Sequence, residues 1–101
     1  MDLHSLSLVL RLLRKVIGPQ VRASQVEMLL IIADTPGLTQ AEISDRSGMT
    51  RSTVSKAIDV FSSKGGSAGL VETRFDPSDQ RRNLIYLTEK GQALLYQLQN
   101  L

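Results

Sequence analysis

Three residues, Thr39, Gly48 and Thr50, divide the stretch LTQAEISDRSGMTRSTVSKAIDVFSSK (residues 38–64) into two short helices with almost no chain between them. Thr39 can accept a hydrogen bond from a first-turn amide, and Glu42, three residues on, completes a capping box. Gly48 stands where the first helix must stop, because glycine takes a left-handed backbone angle at little cost. Thr50 then caps the second helix. Val54, Ala57, Ile58 and Phe61 follow at helical spacing and predict an inward stripe. Arg51, Ser52, Ser55, Lys56 and Asp59 are left outside. An amphipathic helix with a solvated polar face accounts for this second helix by itself. The pair of helices reads as a helix-turn-helix, whose second helix can present its polar side to the major groove of DNA.

The flanking segments are read in the same way. Residues 2–17 predict a first helix with the seam Leu3, Leu6, Leu10, Leu13 and Ile17. Leu8 and Leu12 lie away from that seam, beside Val9 and Val16. A helix apolar on two sides needs cover on two sides, one from its own body and one from a second subunit. Gly18-Pro19 ends it. Ser24 with Glu27 predicts the next capped start, and the apolar run 26–33 predicts a central buried helix. Thr35-Pro36-Gly37 is a turn, and Leu38 adds a short strand. Gly65-Gly66-Ser67-Ala68-Gly69 reads as a flexible loop. Residues 70–75 alternate as a strand, 76–82 carry turn chemistry with charge, and 83–87 return as the second strand of a hairpin. Thr88 caps a last helix over 89–100, with Leu94, Leu98 and Leu101 as its seam and Leu95 beside them. The expected fold is α+β and mostly α: one domain over 1–101, a winged helix-turn-helix. Its helix-turn-helix spans 39–64, its wing 70–87, and its terminal helices pair subunits.

Composition narrows the function. The chain has 101 residues, a net charge of +2 and no cysteine, which excludes disulfides and thiolate metal sites. His4 is the one histidine and reads as a surface residue; no metal or cofactor is expected. Residues 25–50 are net acidic, whereas basic residues gather in the first helix, the second helix of the helix-turn-helix and the segment ending at Arg82. A cationic face on a nearly neutral body fits a nucleic-acid footprint. There is no secretory pattern, and the run from Met28 to Ala33 is too short to cross a bilayer, so a cytoplasmic protein is expected. The glycine-rich loop lacks the Lys-Ser/Thr of a phosphate-binding loop, and no nucleophile–base pair is evident, so no enzyme is expected.

The hairpin is a second candidate site. Arg81 and Arg82 sit near Asp76 and Asp79, and arginine suits the enhanced negative potential of a narrow minor groove. Asp79, two residues from Arg81, is placed to hold its guanidinium extended. An ordinary charged hairpin is the plainer reading. Thr39, Gln40, Thr50, Lys64 and Arg74 are candidate phosphate contacts.

The stretches PGLTQAEISDRSGMTRSTVSKAID and GLVETRFDPSDQRRNLIYLTEKG resemble the MarR (multiple antibiotic resistance regulator) family of winged-helix transcription regulators. Asp79-Gln80-Arg81, closed by Leu87-Thr88-Glu89-Lys90-Gly91, matches the wing motif without gaps. The resemblance implies a minor-groove role for Arg81, an orienting role for Asp79, and major-groove positions for Ser52, Thr53, Ser55 and Lys56. Residues 66–69 look like an insertion relative to the family. Members usually continue past a C-terminus like this one, into helices that form the dimer interface and a small-molecule pocket. Here dimerisation falls to Leu3, Leu6, Leu10, Leu13, Ile17, Leu94, Leu98 and Leu101, and no small-molecule effector is counted among the partners.

The expectation is a homodimeric regulator, a repressor by the family's habit, that binds double-stranded DNA through Arg51, Ser52, Thr53, Ser55 and Lys56 in the major groove and Asp79, Arg81 and Arg82 at the wing. Two rivals stand beside it: a DNA-binding protein of plasmid or phage replication or partition, and a winged helix that binds protein through its leucine-rich end helices.

Overall fold

Each helix begins where a side chain or backbone group closes its first turn. The computed structural model of the chain describes residues 2–62 and 69–101. In order these form α1 (Leu3–Val16), α2 (Ala23–Asp34), α3 (Gln40–Ser47), α4 (Arg51–Phe61), β1 (Val71–Asp76), β2 (Asp79–Leu87) and α5 (Glu89–Gln99). Asp2 caps α1 by accepting from the Ser5 amide at 2.7 Å. Thr39 and Glu42 form the expected capping box, with the Glu42 amide donating to Thr39 Oγ1 at 3.2 Å and the Thr39 amide donating to Glu42 Oε1 at 3.1 Å. Thr50 and Thr88 cap α4 and α5 by accepting from Thr53 and Gly91, each at 3.1 Å. Gly48 closes α3 at φ +74°, the left-handed angle the sequence predicts.

One start differs. Ser24 lies inside α2, and Arg22 holds the N-cap position, where its backbone amide donates to Gln25 Oε1 at 2.9 Å. Serine was the better cap by chemistry. A glutamine at the third helical position reaches back to the amide two residues before Ser24, and the helix starts there instead.

The core is apolar throughout. Met28, Leu29 and Ile32 of α2, Ile43 of α3, Val54, Ala57, Ile58 and Phe61 of α4, and Leu70, Val71, Ile85 and Leu87 at the hairpin root are all buried. The α2–α3 connection adds a third pairing to the hairpin: the Ile85 amide donates to the Leu38 carbonyl at 2.8 Å, and the Gly37 amide to the Ile85 carbonyl at 3.0 Å. This is the short strand anticipated at Leu38, reduced to a single bridge.

The hairpin is longer than its composition suggested. β1 and β2 pair antiparallel from Val71 with Leu87 to Phe75 with Asn83, and then Asp76 pairs with Asp79. Gln80, Arg81 and Arg82 thus belong to β2 but have no counterpart on β1, so they form a bulge rather than a loop. The turn itself is only Pro77-Ser78. Asp76 shapes it by accepting from the Ser78 amide at 2.9 Å and the Ser78 hydroxyl at 2.7 Å.

The terminal helices need a correction. Leu13 is only 1% exposed and Leu94 3%, so both are core residues and cannot serve a partner surface. Leu3, Leu6, Leu10 and Leu101 of the same predicted seams remain exposed, at 85%, 42%, 49% and 47%. The face of α1 that packs on the core runs through Val9, Leu12, Leu13 and Val16 rather than along the predicted seam, so Leu3, Leu6 and Leu10 are turned away from it. Among the described residues, no helix is long and apolar enough to cross a membrane.

Candidate nucleic-acid interface

The polar side of α4 follows from its buried side. Successive residues of a helix are rotated by about 100°. With Val54, Ala57, Ile58 and Phe61 turned inward, Ser52, Lys56 and Asp59 fall on the outer crest. Arg51 and Ser55 fall on one shoulder, and Thr53 and Val60 on the other. Arg51, Ser52, Thr53 and Lys56 are exposed, while Ser55 is half-buried. The five candidate groove residues therefore do not share one line along the helix; they wrap around its outer half.

The turn that sets the angle of α4 is pinned from inside. Ser44 of α3 donates its hydroxyl to the Met49 carbonyl, and the Met49 amide donates to Ser47 Oγ at 3.1 Å. Thr50 also donates its hydroxyl to Thr53 Oγ1 at 3.0 Å. The hydroxyls of Thr39 and Thr50 are thus engaged in capping, and a phosphate would have to share them. Gln40 is half-buried and makes no side-chain hydrogen bond among the described residues. Lys64, the fourth candidate phosphate contact, lies outside the described residues, as do residues 65–68 of the glycine-rich loop.

At the wing, Arg81 is the most exposed cation with a defined support. Its side chain is 91% exposed, and Asp79 Oδ1 accepts from its backbone amide at 3.0 Å and from Nε at 3.2 Å. One carboxylate oxygen thereby fixes both the backbone of the bulge and the root of the guanidinium, leaving the terminal nitrogens to solvent. Arg82, expected to act beside Arg81, faces another way. It reaches Glu42 Oε1 at 3.4 Å and Asp76 Oδ2 at 3.7 Å. It ties the wing to α3, the helix whose far end turns into α4. That tie spans forty positions, and no local pattern announces it.

Glu42 is consequently shared between two tasks. Hydrogen bonds from the Thr39 backbone amide and hydroxyl hold its carboxyl below the usual glutamate value, with Arg82 and Arg46 adding to the effect. Asp76 is lowered chiefly by the Ser78 hydroxyl and amide.

Arg74 is placed elsewhere. It bonds Glu72, with Nε at 2.8 Å from Oε1, and its guanidinium lies 4.4 Å from the centre of the Tyr86 ring. It borders a recess with Ile32, Pro36 and Gln92, none of which belongs to α3 or α4. Its charge is spent on the wing itself.

The closing motif of the wing has a mechanical explanation. The Thr88 amide donates to the Leu70 carbonyl at 2.9 Å, and the Thr88 hydroxyl donates to the Gly69 carbonyl at 2.6 Å. A Cβ at Gly91 would overlap that same Leu70 carbonyl oxygen. Thr88 and Gly91 therefore lock the root of the hairpin to α5, and glycine is required by close approach rather than by backbone angle.

The chain is similar to known proteins in both sequence and fold. A model of the MarR family matches residues 20–82. The transcriptional regulator HosA from Escherichia coli O111:H- is 29% identical over 77 residues, which make up 76% of this chain and 54% of HosA. The chain thus spans about half the length of the curated relatives it matches. Among solved structures, the transcriptional repressor CouR bound to a 23-mer DNA duplex gives a TM-score of 0.71 at 28% identity, over 97% of this chain and 64% of CouR. A mutant MarR from Escherichia coli complexed with operator DNA gives a TM-score of 0.70 at 26% identity, over 97% of this chain and 68% of that one.

Proposed function

The chain belongs to the MarR family, and from that premise we propose that it is a sequence-specific regulator of transcription that binds double-stranded DNA, acting as a repressor. The observation that carries this reading is the anchoring of two cationic elements on one short helix. α3 continues through the pinned turn at Gly48 into α4, and it holds the wing through Arg82 and Glu42. A body that fixes a polar helix face and a supported arginine relative to each other can address two grooves of one duplex. The relatives CouR and MarR, both solved on DNA, support the same reading.

In this proposal residues 1–101 work as one winged helix-turn-helix unit in the cytoplasm and perform no chemical step. Ser52 and its neighbours on α4 read base edges, and Arg81, oriented by Asp79, enters the adjacent minor groove. Phosphate contacts supply affinity, and base contacts supply choice. The exposed leucines of α1, with Leu101, support a homodimer. Two copies would place their α4 helices in successive major grooves about 34 Å apart. Repression follows from covering a promoter.

Selection of bound duplexes from a random pool tests this directly. The expected product is an inverted repeat with half-sites about one helical turn apart. A pool that shows no enrichment after repeated selection would remove the sequence-specific reading, and a lone half-site would remove the dimer.

A further inference from the structure

Beside α4 lies a recess of mixed polar and apolar lining that brings two of the candidate groove residues, Thr53 and Lys56, together with residues given no role above. It has a volume of about 390 Å³ and is walled on one side by Gln20, Arg22 and Ser24 at the start of α2 and on the other by Thr53 and Lys56 of α4. Both cations are exposed, and neither has an ion-pair partner among the described residues. No carboxylate lines the recess. Two like charges from separate elements facing one hollow repel each other, and an anion between them turns that repulsion into attraction.

The position of the recess identifies the anion. A helix is about as wide as the major groove, so its shoulders face the two phosphate strands that border the groove. Thr53 lies on the shoulder of α4 that faces α2, Lys56 lines the same recess from the neighbouring crest, and Arg22 stands across from them. We propose that this recess seats one backbone phosphate of the bound duplex, with Arg22 and Lys56 supplying its two cations and Thr53 or Ser24 a hydroxyl donor. The inference rests on the DNA-binding reading and changes it in one respect: Lys56 contacts the backbone rather than a base. Arg22 was absent from the residues assigned to DNA because nothing in its local sequence pairs it with a lysine 34 positions later.

The test is the salt dependence of binding to a mixed-sequence duplex of about three helical turns. Polarisation titrations compare the unaltered chain with Arg22→Ala, Arg22→Lys, Lys56→Ala and the double alanine variant, and circular dichroism checks the fold of each. Arg22 makes no side-chain cap bond, so its replacement leaves α2 intact. Each alanine variant should lower the slope of log K against log salt. The double variant should lower it by about 0.9 in total, the value of one phosphate, and Arg22→Lys should keep the slope. Replacing single phosphates by uncharged methylphosphonates should reveal one position whose loss weakens the unaltered chain, weakens Arg22→Ala less, and has no further effect on the double alanine variant. Exchanging chloride for inorganic phosphate at equal ionic strength should leave the isotherm unchanged.

Three results would overturn the proposal: an unchanged slope in Arg22→Ala, a loss of twice that value in the double variant, or a phosphate-specific effect that requires Arg22. The first means no contact, the second two separate phosphates, and the third a site for a free anion. If the unaltered chain binds no duplex at all, the DNA-binding reading itself falls. If it binds and Arg22→Ala is indifferent, only this inference does.

Discussion

At the scale of single residues, neighbouring arginines have opposite employments. Arg81 points into solvent with its base held by Asp79, whereas Arg82 turns back to Glu42 and Asp76. Arg81→Ala should therefore weaken DNA binding by about 1–3 kcal/mol while leaving the urea unfolding midpoint unchanged. Arg82→Ala should lower that midpoint as well as the affinity, and equal behaviour of the two variants would contradict the assignment. Acid should expose the same network. The carboxyls of Glu42 and Asp76 titrate below their ordinary values of 4.5 and 3.8 because the folded chain donates hydrogen bonds to them. A lowered folded value means stability that is present above the ordinary value and is lost as pH falls through the folded one. The unfolding midpoint should thus hold steady down to about pH 4.5 and decline below it. Glu42→Gln, which keeps an acceptor for the Thr39 amide, should decline less steeply; identical acid limbs would show that Glu42 carries none of the effect.

At the scale of elements, boundaries are set by a few polar groups. Thr50→Ala removes the bond to the Thr53 amide and should cost about 1 kcal/mol, read as a shift in the unfolding midpoint. Gly91→Ala should cost about 1–3 kcal/mol, because the added methyl meets a backbone carbonyl that cannot step aside. A neutral result there would mean that α5 can slide along the hairpin root. Capping was legible in sequence where a threonine hydroxyl closes the first turn, as at Thr39, Thr50 and Thr88. It failed at Ser24, where two plausible caps overlap and the glutamine of one outreached the serine of the other. The hairpin failed differently. Residues 76–82 carry the composition of a turn, but Asp76 and Ser78 close a tight reversal and leave Gln80, Arg81 and Arg82 to bulge from a strand.

At the scale of the whole molecule, α1 is the element least explained by its own body. Leu13 is buried, while Leu3, Leu6 and Leu10 are not. Replacing Leu6 and Leu10 together by lysine should leave the circular dichroism spectrum intact and convert a homodimer to monomer in sedimentation, with loss of affinity for a paired half-site. Persistence of the dimer would move the interface elsewhere. Leu13 is unsuitable for this test, because its loss would cavitate the core.

Local order along the chain determined where most helices begin and end, which face of α4 turns inward, and that Arg81 has an acidic neighbour two residues away. Those features depend on contacts within a turn or two, and spacing reports such contacts faithfully. Only the folded chain decided that Arg82 braces the wing, that Arg74 stacks on Tyr86, that Leu13 and Leu94 are core, and that Arg22 and Lys56 share a recess. Each of these joins side chains whose elements meet through packing of the common core, and separation in sequence carries no record of that meeting.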